Sequence, residues 1–426
     1  MMTSKAQFLK DKYQEGYVWI WLPNETRPVV AGKLEAQGDT LSFNYGKSYL
    51  ERIKDTLPAI PIYEPELPLK AGALPNLDGL KMPGCIRDSA PDAWGRRVII
   101  NKKLGSKGKD TDTASLDELT YLLESGSDRI GALDFQQSPT DYVPRSAKNV
   151  SMEELIQSAE RVEKGIPLTL ELDQALYYGS SIGGARPKAL IEEKGTKYIA
   201  KFSATNDLYS VVKAEFIAMR LAELAGIDVA PVRMVKAANK DVVLIERFDR
   251  HQTDEGWARK SMVSALTLFG LDDMMARYAS YETLAEIIRH RFTEHKDTLR
   301  ELFSRLLFNI LCGNTDDHAR NHAAFWDGKH LSLTPAYDIC PQGRTGNEAG
   351  QAMRIVGNNN LSQFKTCLMA AANFLVSKSQ AFEIFEHQVS VIEQNWQVVC
   401  DEAELSEIDR QLFWRRQFLN PFSVIE

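Results

Sequence analysis

The sequence predicts an α+β chain in two lobes, a mixed α/β N-terminal domain followed by an all-helical C-terminal domain. Three observations carry the expectation. Short apolar runs alternate with turn signals over the first 140 or so residues, as strands do. A strand, strand, helix, strand, strand pattern follows, ending near Arg250. Beyond Arg250 the apolar residues recur almost throughout at helical spacing. The expected divisions are 1–140, 141–250 and 251–426.

The elements follow in order. "YVWIWL", "VVAGKL" and "TLSFNY" read as strands, with Asn24, Gly32 and "QGD" as the turn signals between them. In "NVSMEELIQSAERVEKG", Ser151 precedes Glu154 by three residues, the pattern of a capping box, so a helix starts there. "YYGSSIGGARPKALIEEKGTKYIAKFSA" gives a glycine-rich turn and two strands joined at "KGT". "LYSVVKAEFIAMRLAELAGI" is an amphipathic helix ending near Gly226, and "VAPVRMVKAANKDVVLIERFDR" adds two strands. In "LRELFSRLLFNILC", Leu302, Phe303, Leu306, Leu307, Ile310 and Leu311 mark a buried helix that Gly313 ends. The helical region is interrupted by one hairpin, where two apolar runs flank Asp327-Gly328.

Composition narrows the class of protein. The chain has 426 residues, 44% hydrophobic and 26% charged, as an ordinary globular protein of two or three domains does. No stretch has the length and apolarity of a membrane span or the core of a signal peptide, so the expected address is the cytoplasm. Five scattered cysteines without a CxxC pair argue against a disulfide framework or zinc knuckle. A net charge of −7 argues against a broad nucleic-acid surface. The local exception, "GRRVIINKKLGSKGK", reads first as a solvated face, with contact to an acidic partner or a DNA backbone as the alternatives.

The densest chemistry lies in "GNTDDHARNH", residues 313–322. Asp316 and Asn321 are five apart, the spacing at which a catalytic loop supplies a base and a metal ligand for phosphoryl transfer. A hairpin at Asp327-Gly328 would return the chain and carry Asp338 towards Asn321, so that amide and carboxylate share a magnesium ion. Ser180, Ser181, Ile182, Gly183 and Gly184 can wrap phosphates, although no Walker loop is present. Lys201 on the next strand suits the α and β phosphates of ATP, with Glu215 as its partner. Each has a structural alternative: Asp316 as a helix cap, Lys201 as an exposed strand lysine, Glu215 as a solvated charge, Asp338 as a turn acid. The rival for the cluster is a metallohydrolase site built from His318, His322, Asp316 and Asp317. The loop signals around the histidines favour a structural role for both, His318 and His322 bonding the backbone of the loop.

On these residues, together with "VVAGKLEA", "IRDSAPDAWGRR", "ESGSDRIGAL", "SSIGGARPKAL", "IERFDR" and "LTPAYDI", the chain resembles the HipA family of kinase toxins. The resemblance implies an ATP- and Mg2+-dependent serine/threonine protein kinase. Asp316 would be the catalytic aspartate, Asn321 and Asp338 the metal ligands, and Lys201 the phosphate-binding lysine. Glu246 and Phe248 would offer hinge backbone groups to adenine, and Asp249 would lie near the ribose. Ser181 falls at the family's autophosphorylated serine, with Ser180 beside it as a second candidate. The resemblance also implies a protein substrate in translation, such as an aminoacyl-tRNA synthetase. It implies a helix-turn-helix antitoxin of the HipB kind as partner, with DNA reached only through that complex. Small-molecule kinase and inactive co-repressor are the alternatives.

Overall fold

The computed structural model describes residues 13–55, 57–104, 111–146, 151–166, 181, 182, 184, 186–203, 207, 209–344 and 346–424. It divides into two compact units. The first comprises residues 1–199, 249–263 and 326–329, and the second comprises 200–248, 264–325 and 330–426.

The first unit is built on the predicted strands. β1 (Glu15–Ile20), β2 (Val29–Gln37) and β3 (Thr40–Tyr45) pair antiparallel, and β4 (Ala73–Leu74) extends the sheet on the β3 side. A one-turn helix (Gly84–Arg87) and two longer ones follow, α1 (Ala93–Leu104) and α2 (Glu118–Glu124), and then β5 (Leu133–Gln136), which pairs with β1. Val18, Ile20, Leu34, Phe43 and Phe135 are buried on one another, as period-two patterning requires. The basic run on α1 is a solvated face tied to acids: Arg96 makes a two-pronged 2.7 Å contact with Glu118, and Lys103 lies 2.8 Å from Glu124. Residues 105–109 of that run lie outside the described residues. Helix α3 (Met152–Glu163) opens with the capping box expected at Ser151 and Glu154. The strands β6 (Lys188–Glu193) and β7 (Thr196–Phe202) follow.

The chain then enters the second unit with the end of β7 and α4 (Val211–Leu224). β8 (Val232–Ala237) pairs antiparallel with β9 (Lys240–Glu246), and β9 lies between β8 and the end of β7. The region beyond Arg250 is less uniformly helical than its periodicity predicts. A hairpin of β10 (Arg250–Thr253) and β11 (Gly256–Arg259) sits in the first unit. Its strands are four residues long, too short for a periodic signal to rise above the polar residues "RHQT".

Beyond a short strand (Ser261–Ser264) and a one-turn helix (Ala265–Leu268) lie helices α5 (Tyr281–Arg291) and α6 (His295–Cys312). Leu299, Leu302, Phe303, Leu306, Leu307, Phe308, Ile310 and Leu311 on α6 are fully buried, making it the central helix of this unit. The predicted hairpin is β12 (Ala323–Trp326) and β13 (Leu331–Leu333), turning at Asp327-Gly328. Three helices close the chain: α7 (Phe364–Ala370), α8 (Lys378–Glu402) and α9 (Glu407–Phe413). Among the described residues, no helix is long and apolar enough to cross a membrane.

Candidate active site

The loop begins where α6 must stop. Gly313 takes a left-handed φ of 76°, and a Cβ there would lie 2.7 Å from the Gln417 carbonyl oxygen, so glycine alone fits without a shift. Asn314 then donates from Nδ2 to Asn309 Oδ1 at 3.0 Å, fixing the loop to the helix it has just left. From there the side chains divide. Asp316 is exposed, whereas Asp317 and His322 are buried with each other, His322 Nε2 lying 3.0 Å from Asp317 Oδ1. Asn321 sits in a short turn, its N–H donating to the His318 carbonyl at 2.8 Å and its Nδ2 to the Asp316 carbonyl at 3.2 Å. With Nδ2 occupied in this way, Oδ1 is the atom Asn321 offers to another ligand.

The hairpin brings Asp338 back to this loop. Arg305 of α6, 3% exposed, donates to the carbonyls of Thr334 at 2.9 Å and Asp228 at 3.1 Å, and Ala336 N–H donates to Asp228 O at 2.8 Å. Tyr337 Oη then donates to the Arg320 carbonyl at 2.7 Å, tying the residue before Asp338 to the residue before Asn321. Asp338 itself holds a left-handed φ of 59°, a conformation that costs energy outside glycine and recurs at functional sites. Its carboxylate is close enough to Asp316 to act on it. The Asp316 pKa is raised, first by partial burial and then by the charges of Asp338 and Asp317, against the opposing influence of His318.

Lys201, at the end of β7, reaches the same place. Its ammonium donates to Glu215 Oε1 at 2.5 Å and also to Asp338 Oδ1. Lys201 and Glu215 are 8% and 3% exposed, so neither is the solvated surface charge its alternative reading supposed. Burial alone would lower the lysine pKa, but Asp338 and Glu215 hold it above its ordinary value. Residues 246–248 lie in the same unit: Glu246 N–H donates to Pro231 O at 2.9 Å, and the Phe248 ring lies 5.9 Å from Phe325 and 5.7 Å from Tyr337. One unit therefore assembles Lys201, Glu215, Glu246, Phe248, Asp316, Asn321 and Asp338.

The donor set fits a hard divalent cation. Asp338 carboxylate and Asn321 carboxamide are oxygen ligands of the kind magnesium takes, and the Asp338 charge acts on Asp316. The metallohydrolase alternative finds no such support. His322 is turned inward to Asp317 and Tyr281, and no cluster of three or more His, Cys, Asp or Glu suited to a metal occurs among the described residues. His318 Nδ1 is buried without a hydrogen-bond partner, whereas His322 Nε2 meets the side chains of Asp317 and Tyr281.

The remaining candidates belong to the first unit. Ser181, 2% exposed, donates from its hydroxyl to the Asp128 carbonyl at 3.3 Å, and Ile182 is buried beside it. Gly184, at φ 103°, donates its N–H to Asp92 Oδ2 at 2.7 Å. Ser180 and Gly183 lie outside the described residues. Asp249 is 2% exposed, and its carboxylate accepts from Gly131 N–H at 2.8 Å and Arg250 Nη1 at 2.9 Å. Sequence reasoning missed the anchors of this loop. Asp92 and Asp128 stand in the quoted "IRDSAPDAWGRR" and "ESGSDRIGAL", and Asp128 also pairs with Lys197 at 2.7 Å and Arg250 at 2.9 Å. Their signal was acids embedded in long motifs far from the catalytic cluster.

Together these elements make an α+β fold of the two-lobed kinase type, with a buried lysine-glutamate pair and an Asp-x-x-x-x-Asn loop in one unit. A profile of the HipA-like C-terminal domain matches residues 180–396, more than half of the chain, and one of the HipA N-terminal domain matches 21–136. The chain belongs to the HipA family. The serine/threonine-protein kinase toxin HipA of Shewanella oneidensis is 23% identical over 335 residues, 72% of this chain and 71% of its own. Y4mE of Sinorhizobium fredii, provisionally named a kinase, is 26% identical over 147 residues, so that the chain spans 33% of that relative. The solved structure of Shewanella oneidensis HipA with HipB and operator DNA matches with a TM-score of 0.67 at 19% identity, covering 93% of both chains.

Proposed function

We propose that this protein is an ATP- and magnesium-dependent serine/threonine protein kinase and the toxin of a toxin–antitoxin pair. The observation that carries the proposal is the double contact of Lys201 with Glu215 and Asp338, beside an Asp338 that acts electrostatically on Asp316. In this reading Asp316 orients the acceptor hydroxyl and takes up its proton, and Lys201, steadied by Glu215, holds phosphate oxygens. Asn321 and Asp338 would hold magnesium, which when bound offsets the charge on the nucleotide phosphates. Glu246 and Phe248 would present backbone groups to adenine, and Ser180 to Gly184 would form the phosphate loop, with Asp249 near the ribose.

Ser181 is the proposed site of self-modification. Its hydroxyl donates to the Asp128 carbonyl in a buried place, and a phosphate there would remove that donor and set nearly two negative charges in the interior. Such a loop would leave its seat. The proposed partner is a HipB-like antitoxin, supported by the Shewanella protein's own complex with HipB and operator DNA, and the net charge of −7 suits a chain that meets DNA through that partner. The proposed substrate is a translation protein such as an aminoacyl-tRNA synthetase.

Phosphoproteomics after brief expression tests the reading. New phosphoserine or phosphothreonine on a translation protein, absent with Asp316→Ala, is expected. Identical phosphoproteomes from the two chains would contradict it.

A further inference from the structure

Beneath the loop, three buried side chains form a connected unit. Tyr281 opens α5, Asp317 follows Asp316, and His322 follows Asn321; their exposures are 0%, 2% and 4%. Tyr281 Oη donates to Asp317 Oδ2, and His322 Nε2 lies 3.0 Å from Asp317 Oδ1 and 3.2 Å from Tyr281 Oη. The tyrosine and histidine rings meet edge-on at 5.4 Å. The tyrosine is itself fixed, because its N–H donates to the Arg354 carbonyl at 2.8 Å and Ser280 caps the first turn of α5. The His322 carbonyl accepts from Ala265 N–H at 2.8 Å, so the far end of the loop is held by its backbone as well.

The placement along the chain gives this unit its meaning. Positions 316 and 321 carry the groups assigned to chemistry, and their immediate successors, 317 and 322, turn inward and join each other. A buried carboxylate is costly unless donors satisfy it, and two donors arriving from separate elements leave Asp317 a single low-energy arrangement. Because Asp317 and His322 are held to the same tyrosine, the five-residue span between Asp316 and Asn321 is set at both ends.

We propose that Tyr281, Asp317 and His322 are positioning residues for phosphoryl transfer, a buried brace that sets Asp316 and Asn321 relative to each other. The proposal rests on the kinase reading above. Such a brace acts on the reacting geometry and leaves Lys201, Glu215 and the hinge segment untouched, so it governs turnover rather than nucleotide affinity.

The test measures γ-phosphate leaving labelled Mg-ATP, counted as free phosphate plus label on the chain. Tyr281→Phe, which removes one buried oxygen and keeps the ring, is expected to lower kcat by roughly tenfold or more with KM for ATP within about twofold. Asp317→Asn should do the same, and the double variant should be no slower than the slower single variant, because the residues act as one unit. Wild-type kcat in Tyr281→Phe overturns the proposal. So do losses that multiply in the double variant, or a fall in kcat matched by an equal loss of folded protein in circular dichroism. If Asp317→Asn does not fold, Tyr281→Phe decides alone. A wild-type chain that releases no γ-phosphate overturns the kinase reading itself, a different failure from an active wild type with an active Tyr281→Phe.

Discussion

Asp316 is exposed and makes few structural contacts through its carboxylate, whereas Lys201 and Glu215 are buried as a pair. Substitutions at these positions should therefore separate chemistry from stability. Asp316→Ala should leave the melting temperature near that of wild type and reduce phosphoryl transfer by about a thousandfold, within the range for losing a positioned base. Lys201→Ala should instead abolish nucleotide binding and destabilise the chain by roughly 3 kcal/mol, since it strands Glu215 in the interior. Chemical denaturation together with isothermal titration with Mg-ATP would check both. An Asp316→Ala chain that unfolds, or a Lys201→Ala chain as stable as wild type, would reverse these assignments. At this scale the intervening hairpin made the return of Asp338 to the 316–321 loop legible. What could not be read was pairing. Tyr281 lies 36 residues from Asp317, and nothing local announces that its hydroxyl ends there.

At the scale of elements, turn chemistry was the most legible signal. The capping box at Ser151, the stop at Gly313 and the turn at Asp327-Gly328 all act within a few residues, so each is written where it acts. The β10–β11 hairpin was hidden because four-residue strands carry too little pattern. Gly313→Ala tests how far the loop depends on its turn. The substitution combines a φ of 76° with a Cβ 2.7 Å from the Gln417 carbonyl oxygen, and should cost about 1–3 kcal/mol and depress transfer along with it. Thermal melts beside the label assay would show it; unchanged values in both would mean that residues 417–419 yield easily. At the glycine-rich loop, Ser181→Asp should mimic the modified state and silence transfer, while Ser181→Ala should retain it, read as label passed from ATP to added protein.

Over the whole molecule, stability in acid should depend on the first unit's buried ion cluster. Asp134 is fully buried and accepts from Arg129 Nε and Arg145 Nη2, both at 2.9 Å, and from Tyr142 Oη at 3.0 Å. Burial would raise its pKa, but Arg145 and Arg129 outweigh it and hold the carboxyl below its ordinary value. A depressed folded pKa means that this stabilisation is complete above about pH 4, the unfolded value, and is lost as pH falls through the folded one. Asp134→Asn should cost roughly 3 kcal/mol at neutral pH and flatten the acid limb of the stability curve. Equal acid limbs in the two chains would place the acid-sensitive group elsewhere. The claim on which the functional account depends is that Asp316, Asn321 and Asp338 work as one centre, and label transfer tests it most directly. Purified wild type incubated with γ-labelled ATP, magnesium and cell lysate should label protein, and Asp316→Ala and Asp338→Asn should each fail to do so. Label confined to small metabolites, or undiminished protein labelling by either variant, would contradict it.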